Sequence, residues 1–198
     1  MEDVEARWDA CRRSNPRYFD APAYHVLGVH RNGAGGAVVH AVVSSYRFHA
    51  VQEEGFDVGF RGIGVRGLTR HDGHVMVARR SHDVARYPGL WEHAPAGKLD
   101  VGSEPAQMIT DELIEETGLT PAAPPTVMAM IYDPLALTWE IIFNLHVTSN
   151  AVRLSDEYLA YRWLPMDASR ESDVPPGDWT PIDRTIRTMY CDSAATQA

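Results

Sequence analysis

Apolar positions along this chain recur first at helical spacing and then in strand-like runs. Val4, Trp8 and Cys11 stand on one helical face and Asn15-Pro16 stops the repeat, so residues 3–15 are expected to form an amphipathic helix. Residues 24–30 and 37–48 are β-rich and flank Asn32-Gly33-Ala34-Gly35-Gly36, which predicts a hairpin. A second hairpin is expected from residues 62–70 and 74–79, because His71-Asp72-Gly73 between them carries an Asp-Gly pair that tolerates positive φ. Helical character returns over residues 104–117, with Ser103 as N-cap, Pro105 in the first turn and Gly118 just past the end. Residues 126–132, 137–147 and 160–164 are rich in β-branched and aromatic side chains and read as strands. A last helix starts at Thr180-Pro181 and is expected to bury Ile182, Ile186 and Met189. Several strands with three helices predict an α/β or α+β sandwich.

At 198 residues and 44% hydrophobic content, the chain holds one full core and is short for two. It is therefore expected to be a single domain over residues 1–198, with residues 1–50 as an N-terminal helix and hairpin added to a core at 60–190. Against 18 Lys+Arg stand 27 Asp+Glu, a formal charge of −9, which disfavours a nucleic acid polymer held by charge. No apolar run approaches the roughly 20 residues of a membrane span, and Met1-Glu2-Asp3 is acidic where a signal peptide would be basic. The expectation is a cytoplasmic protein with no membrane partner. Cys11 and Cys191 are too sparse for a disulfide framework or a zinc site and read as ordinary thiols.

Chemistry is concentrated in residues 97–119, GKLDVGSEPAQMITDELIEETGL. At 100° per residue, Glu112, Glu115 and Glu116 share an arc of about 100°, beside an apolar stripe of Ala106, Ile109 and Leu113. Like charges at these spacings repel. Lys98 is the only basic residue from 98 to 119, so the cluster calls for an external cation. Mg²⁺ or Mn²⁺, which take carboxylate oxygens and water, suit it.

The segment resembles the signature of the Nudix hydrolase family, G-x5-E-x7-R-E-U-x-E-E-x-G-U with U aliphatic. Without gaps, Gly97, Glu112, Leu113, Glu115, Glu116, Gly118 and Leu119 fill seven of its nine specified positions. Average residue usage gives a chance match on the order of 10⁻⁴ to 10⁻³, so composition alone does not account for the spacing. Two positions depart. Ser103 stands where the family has its first Glu and Asp111 where it has Arg, residues that support the family's site. Glu104 lies near the same helix face and is a candidate stand-in.

The resemblance implies an α/β/α sandwich with a mixed sheet. It implies a pyrophosphohydrolase acting on a nucleoside diphosphate linked to another group, with Glu112, Glu115, Glu116 and the Ala96 carbonyl holding the metal. Ser155-Asp156-Glu157 before Tyr161-Arg162-Trp163 looks like a late acidic segment of the family, which makes Glu157 a further candidate; Glu115, Glu116 or Glu157 would accept the proton. Arg79, Arg80 and Lys98 are the basic candidates for phosphate, with Arg66 behind them. Glu140 alternates with apolar residues on a strand and faces either solvent or the cleft. Trp8, Tyr18-Phe19, Ser45-Tyr46-Arg47 and Gly62-Ile63-Gly64-Val65 resemble a UDP-sugar pyrophosphatase branch, which points to a nucleotide sugar. The lost Glu and Arg leave two alternatives open, a nucleotide-binding module with little or no turnover and a hydrolase that cleaves C–O at a sugar diphosphate. Members of the family include homodimers, and the resemblance allows one here.

Other signals carry less. Gly62, Gly64 and Gly67 match a dinucleotide fingerprint in spacing, but lead into a strand and an Asp-Gly turn and not a helix N-terminus. His82 and His93 flank the approach to the acidic helix and read as surface or core residues before phosphate ligands.

Overall fold

The structure, a computed structural model, describes residues 2–15, 18–53, 55–166 and 176–190; Cys191 and the Pro16-Arg17 pair lie outside these. Helix α1 (Glu2–Ser14) buries Val4 and Trp8 against Val51. Trp8 also meets Tyr18 edge-on at 6.2 Å, so these aromatics fasten the helix to the rest. Strands β1 (Pro22–Arg31) and β2 (Ala37–Ser45) form the expected hairpin, and Asn32 Oδ1 closes its turn by accepting the Ala34 and Gly36 N–H groups. Strand β2 ends at Ser45, short of the expected residue 48. The Asp20 carboxylate accepts Ser45 Oγ and the Arg47 N–H, which turns the chain into the one-turn helix α2 (Arg47–Ala50).

The main sheet is mixed. Strand β3 (Gly62–His71) runs parallel to β8 (Thr138–His146) and antiparallel to β4 (His74–Arg80) and β6 (Ala96–Lys98). Strand β4 also pairs with β5 (Trp91–His93) and β9 (Tyr158–Pro165), and β7 (Thr126–Asp133) closes the far edge on β8. The β3–β4 turn holds Asp72 at φ 44° and Gly73 at φ 75°, as the Asp-Gly pair predicted.

Alternation along the central strands sends side chains to two cores. Val65, Met76, Phe143 and Leu145 pack on one face beneath Ile109 and Leu113 of α3 (Pro105–Thr117). On the other, Leu68, Val77 and Ile142 pack beneath Ile182 and Ile186 of α4 (Pro181–Tyr190). Helices cover both faces of a mixed sheet, the expected α/β/α sandwich.

Several local expectations are corrected. The N-cap of α3 is Glu104, in extended conformation and without a side-chain cap, while the Ser103 N–H is already committed to the Asp100 carbonyl in the preceding turn. Gly118 ends the helix at φ 69° as expected. Ala106 is exposed, because the buried stripe of α3 begins at Ile109. Met189 is 45% exposed, beyond the part of α4 that lies on the sheet. Strands β5 and β6, three residues each, are too short to show a period and were not expected.

Candidate active site

A cavity of about 480 Å³ opens where β3, β6 and β8 meet α3 and the approach to β9. Ala96, Gly97 and Lys98 of β6, Glu112 and Glu116 of α3, Glu140 of β8, Glu157 and Arg80 all line it. Glycine makes the close approach possible. A Cβ at Gly97 would lie 2.0 Å from Glu112 Oε1, and one at Gly64 would lie 2.9 Å from the Gly97 carbonyl. The glycines that imitate a dinucleotide fingerprint thus serve contacts between strands and side chains.

Glu116 is the most enclosed carboxylate of the acidic cluster, 5% exposed. Its Oε2 accepts the Ala96 N–H at 3.2 Å and the Tyr158 hydroxyl at 2.9 Å, and the same hydroxyl lies 3.1 Å from Glu92 Oε1. One hydroxyl proton therefore faces two carboxylates. Glu92 has the guanidinium groups of Arg66 and Arg80 as counter-charges. Glu116 has no cation among the described residues, and burial, with Glu112 and Glu92 beside it, pushes its carboxyl well above the usual range. Burial and the nearby Glu157 and Glu115 likewise push Glu112 up to about 7. Glu112 and Glu116, with Glu157 beside them, thus call for positive charge at one edge of the cavity. This donor set, hard oxygens lacking a counter-ion, fits a divalent cation, although among the described residues no three His, Cys, Asp or Glu side chains already stand in a closed coordination cluster.

Two predicted site residues are placed elsewhere. Glu115 is exposed and does not line the cavity: α3 turns Glu112 and Glu116 inward and leaves Glu115 at its watered edge. Arg79 and Arg80 are neighbours at a break in the β4–β9 register and take different environments. Arg80 enters the cavity, whereas Arg79 is exposed with its Nε donating to the Gly89 carbonyl at 2.9 Å. Lys98 lies on the cavity wall, 5.1 Å from the Tyr46 ring centre. Neither His82 nor His93 lines the cavity; His82 is exposed and His93 is buried against Asp183.

Glu140 faces the cleft. Its carboxylate has no hydrogen-bond partner among the described residues, and burial, opposed by Arg66, pushes its pKa up to about 8 from 4.5. Below pH 4.5 the group is protonated folded or unfolded and costs nothing. Between 4.5 and 8 only the unfolded chain ionises, so the cost grows with pH. Glu140→Gln is expected to stabilise the protein by about 1–3 kcal/mol at pH 7 and hardly at all at pH 4.5. Thermal unfolding at the two pH values checks this, and a destabilised variant at pH 7 would contradict it.

Sequence reasoning missed the layer behind these carboxylates. Arg66 Nη1 donates to Glu92 at 2.9 Å and to Asp183 at 3.0 Å, with all three residues buried. Asp183 comes from α4, which ties the C-terminal helix to the floor of the cavity. Asp183 also accepts from the His93 N–H and lies 2.6 Å from His93 Nδ1. Burial would raise Asp183, but Arg66 and His93 outweigh it and hold its carboxyl below the ordinary value. Tyr87, whose hydroxyl donates to Asp133, completes the wall. Nothing local in the sequence marks Asp183 or Tyr158, since their partners are 117 and 42 residues away.

The family model of the NUDIX domain matches residues 60–185. The chain belongs to the Nudix family. Among solved structures, the MutT protein from Methanosarcina mazei Go1 is similar at 23% identity over 68% of this chain and 95% of its own, with a TM-score of 0.55. A NUDIX hydrolase from Nitrosomonas europaea is similar at 15% identity over 87% and 88%, TM-score 0.55. A bifunctional NMN adenylyltransferase/ADP ribose pyrophosphatase from Francisella tularensis, complexed with AMP and a manganese ion, is similar at 16% identity over 67% and 42%, TM-score 0.50. No curated protein matches the chain in sequence. The departures of this chain from the Nudix signature can be located in the structure. Ser103 and Asp111 are both exposed, and Asp111 Oδ1 accepts Gln107 Nε2 at 2.8 Å. Glu104, the expected stand-in, is exposed and does not line the cavity. Support for Glu116 comes instead from Tyr158 and the Ala96 N–H. Among the described residues no helix is long and apolar enough to cross a membrane.

Proposed function

We propose that this Nudix protein hydrolyses the diphosphate of a nucleoside diphosphate linked to a second group, with nucleotide sugars as the substrate class and Mg²⁺ or Mn²⁺ as cofactor. The observation that carries the reading is the convergence of Glu112, Glu116 and Glu157 on one cavity edge, with no ion-pair partner for them among the described residues. The AMP and manganese ion of the Francisella structure agree with it in ligand chemistry. The chain is taken as one domain, with residues 1–50 walling a cavity whose chemistry lies in residues 60–190.

The Ala96 carbonyl, Glu112 and Glu116 would hold the metal, with Glu157 beside them. When bound, it neutralises charge on the diphosphate and acidifies water. Lys98, paired at 3.7 Å with the exposed Asp100, is the wall cation that would meet a phosphate, whereas Arg80 is held by the buried Glu92. Glu140, kept protonated by burial, can donate a hydrogen bond to a phosphate oxygen. Water attacks one phosphorus, a new P–O bond forms, the bridging P–O bond breaks and the proton passes to a carboxylate. Glu157 suits that role because Glu116 is already hydrogen-bonded and Glu115 faces water. Tyr158 positions Glu116 and touches no substrate in this scheme. Tyr158→Phe is expected to lower kcat/KM by about 10- to 100-fold, the usual cost of removing a partner behind a ligand. An unchanged kcat/KM would remove Tyr158 from the account.

The test is a panel of nucleotide sugars, ADP-ribose, dinucleoside polyphosphates and prenyl diphosphates with Mg²⁺ or Mn²⁺, followed by ³¹P NMR. Metal-dependent release of a nucleoside monophosphate from a nucleotide sugar is the expected result. Absence of metal-dependent turnover on every compound would overturn the reading.

A further inference from the structure

The hairpin of β1 and β2 forms a sheet of its own beside the main one. Its inner strand is anchored: Val26 is buried in the first core, Tyr24 and Val29 pack on it, and the Val26 N–H donates to the Arg61 carbonyl at 2.8 Å. Strand β2 is the outer one. Apart from its pairing with β1, no backbone hydrogen bond reaches residues 37–45 among the described residues, so alternate N–H and C=O groups along nine residues face water. The side chains are apolar as well. Val38, Val42 and Val43 are 45%, 44% and 59% exposed, and Leu27, the bulged residue of β1, is 63% exposed.

A free strand edge is a template for pairing, and folds blunt such edges with charge, proline or a bulge. The other long edges follow this rule: β7 has a bulge at Met128 and ends on Asp133, and β9 has a bulge at Leu159 and carries Arg162. Strand β2 has none of the three. Its residues, AVVHAVVSS, hold no charge and no proline, and the bulge of the hairpin lies on β1. Charge then selects the occupant. The chain carries −9, so two copies repel wherever their acids meet. Residues 22–45 contain no Asp, Glu or Lys and a single Arg, Arg31, so this is where two copies approach with least repulsion and where a charged peptide finds little to hold it. The edge is also its own complement, since an identical antiparallel strand related by a two-fold axis meets each outward N–H with a C=O.

We propose that β2 pairs antiparallel with β2 of a second copy of this chain, joining two hairpins into one four-stranded sheet across a two-fold axis. Full overlap of residues 37–45 sets Ala41 opposite its own copy on the axis, Val39 opposite Val43 and Val38 opposite Ser44. A strand edge with its flanking valines makes a small interface, below about 1,200 Å² in total, which belongs to the weak class of specific contacts and sets a dissociation constant in the micromolar range. Val38, Ala41 and Val42 do not line the cavity.

Sedimentation equilibrium of the intact protein, from low to high micromolar concentration, is expected to show the mass rising from 22.0 kDa toward twice that value. The double variant Val38→Lys, Val42→Lys charges the edge at two exposed positions and is expected to raise the dissociation constant at least tenfold, with the Tm of the dilute protein unchanged. Directly opposed Cα atoms in such a pair lie about 4.5–5.5 Å apart, within reach of a disulfide. Ala41→Cys, with Cys11 and Cys191 replaced by Ser, is therefore expected to give a disulfide-linked dimer under dissolved oxygen, and Leu27→Cys on the inner strand is not. A monomer at every concentration, a dimer that the double variant leaves unchanged, or a dimer that Ala41→Cys fails to cross-link would overturn the proposal. No metal or substrate enters the measurement, so its outcome is independent of the proposed hydrolysis.

Discussion

Glu116→Gln is expected to lower kcat/KM by about 10³-fold or more, roughly 4 kcal/mol of transition-state stabilisation, with no loss of thermal stability. Glutamine fills the same volume and its carbonyl can still accept the Ala96 N–H. What is lost is one negative charge at the most enclosed point of the cavity edge, where it would face the metal. In the protein without metal that charge is a burden, since Glu112, Glu92 and Glu157 all oppose its ionisation. Activity and stability should therefore move apart. A variant that loses both would mark Glu116 as a structural residue, and one that keeps its activity would remove it from the site.

The second large effect lies behind the cavity. Asp183→Asn removes the carboxylate that pairs with Arg66 and accepts from the His93 N–H in a region closed to water. Arg66 is then left with Glu92 alone, and Glu92 must also serve Arg80. Breaking a buried ion pair from one side costs about 3–5 kcal/mol, against a total stability of about 5–15 kcal/mol for a domain. For a chain of this size that corresponds to a fall in Tm of about 6–20 °C. By contrast, the Arg61–Asp57 pair lies toward the surface, and Asp57→Asn is expected to cost about 1 kcal/mol or less. A shift of less than 2 °C on Asp183→Asn in differential scanning calorimetry would show that the network contributes little.

The part of the site that was legible in the sequence is the part written within a single helix. Spacing alone brings Glu112 and Glu116 to one side of α3, and Gly97 is fixed by the approach of Glu112. A helical wheel gives relative angles and not the rotation of the helix against its sheet, which is why Glu115 looked equivalent and turns out to face water. The hairpins were readable from Asn32 to Gly36 and from Asp72-Gly73, because turn geometry is local. Glu140 could face either way from alternation alone, and only the register of β8 on Gly64 of β3 turns it into the cleft. Tyr158, Glu92, Arg66 and Asp183 were illegible as a set, since each is an ordinary residue until four distant segments bring their charges together. The signature's replaced positions, Ser103 and Asp111, lie on the surface, and Glu116 is held from β9 and β6, which a single-helix motif does not reveal.

Water attack on phosphorus within the carboxylate-lined cavity is the central claim, and hydrolysis of a nucleotide sugar in ¹⁸O water tests it most directly. Mass spectrometry is predicted to find the label in one of the two phosphate-bearing products on a phosphate oxygen, at one atom per turnover and only with Mg²⁺ or Mn²⁺ present. Label on the sugar hydroxyl with an unlabelled nucleoside diphosphate, or no incorporation under any metal condition, would contradict it.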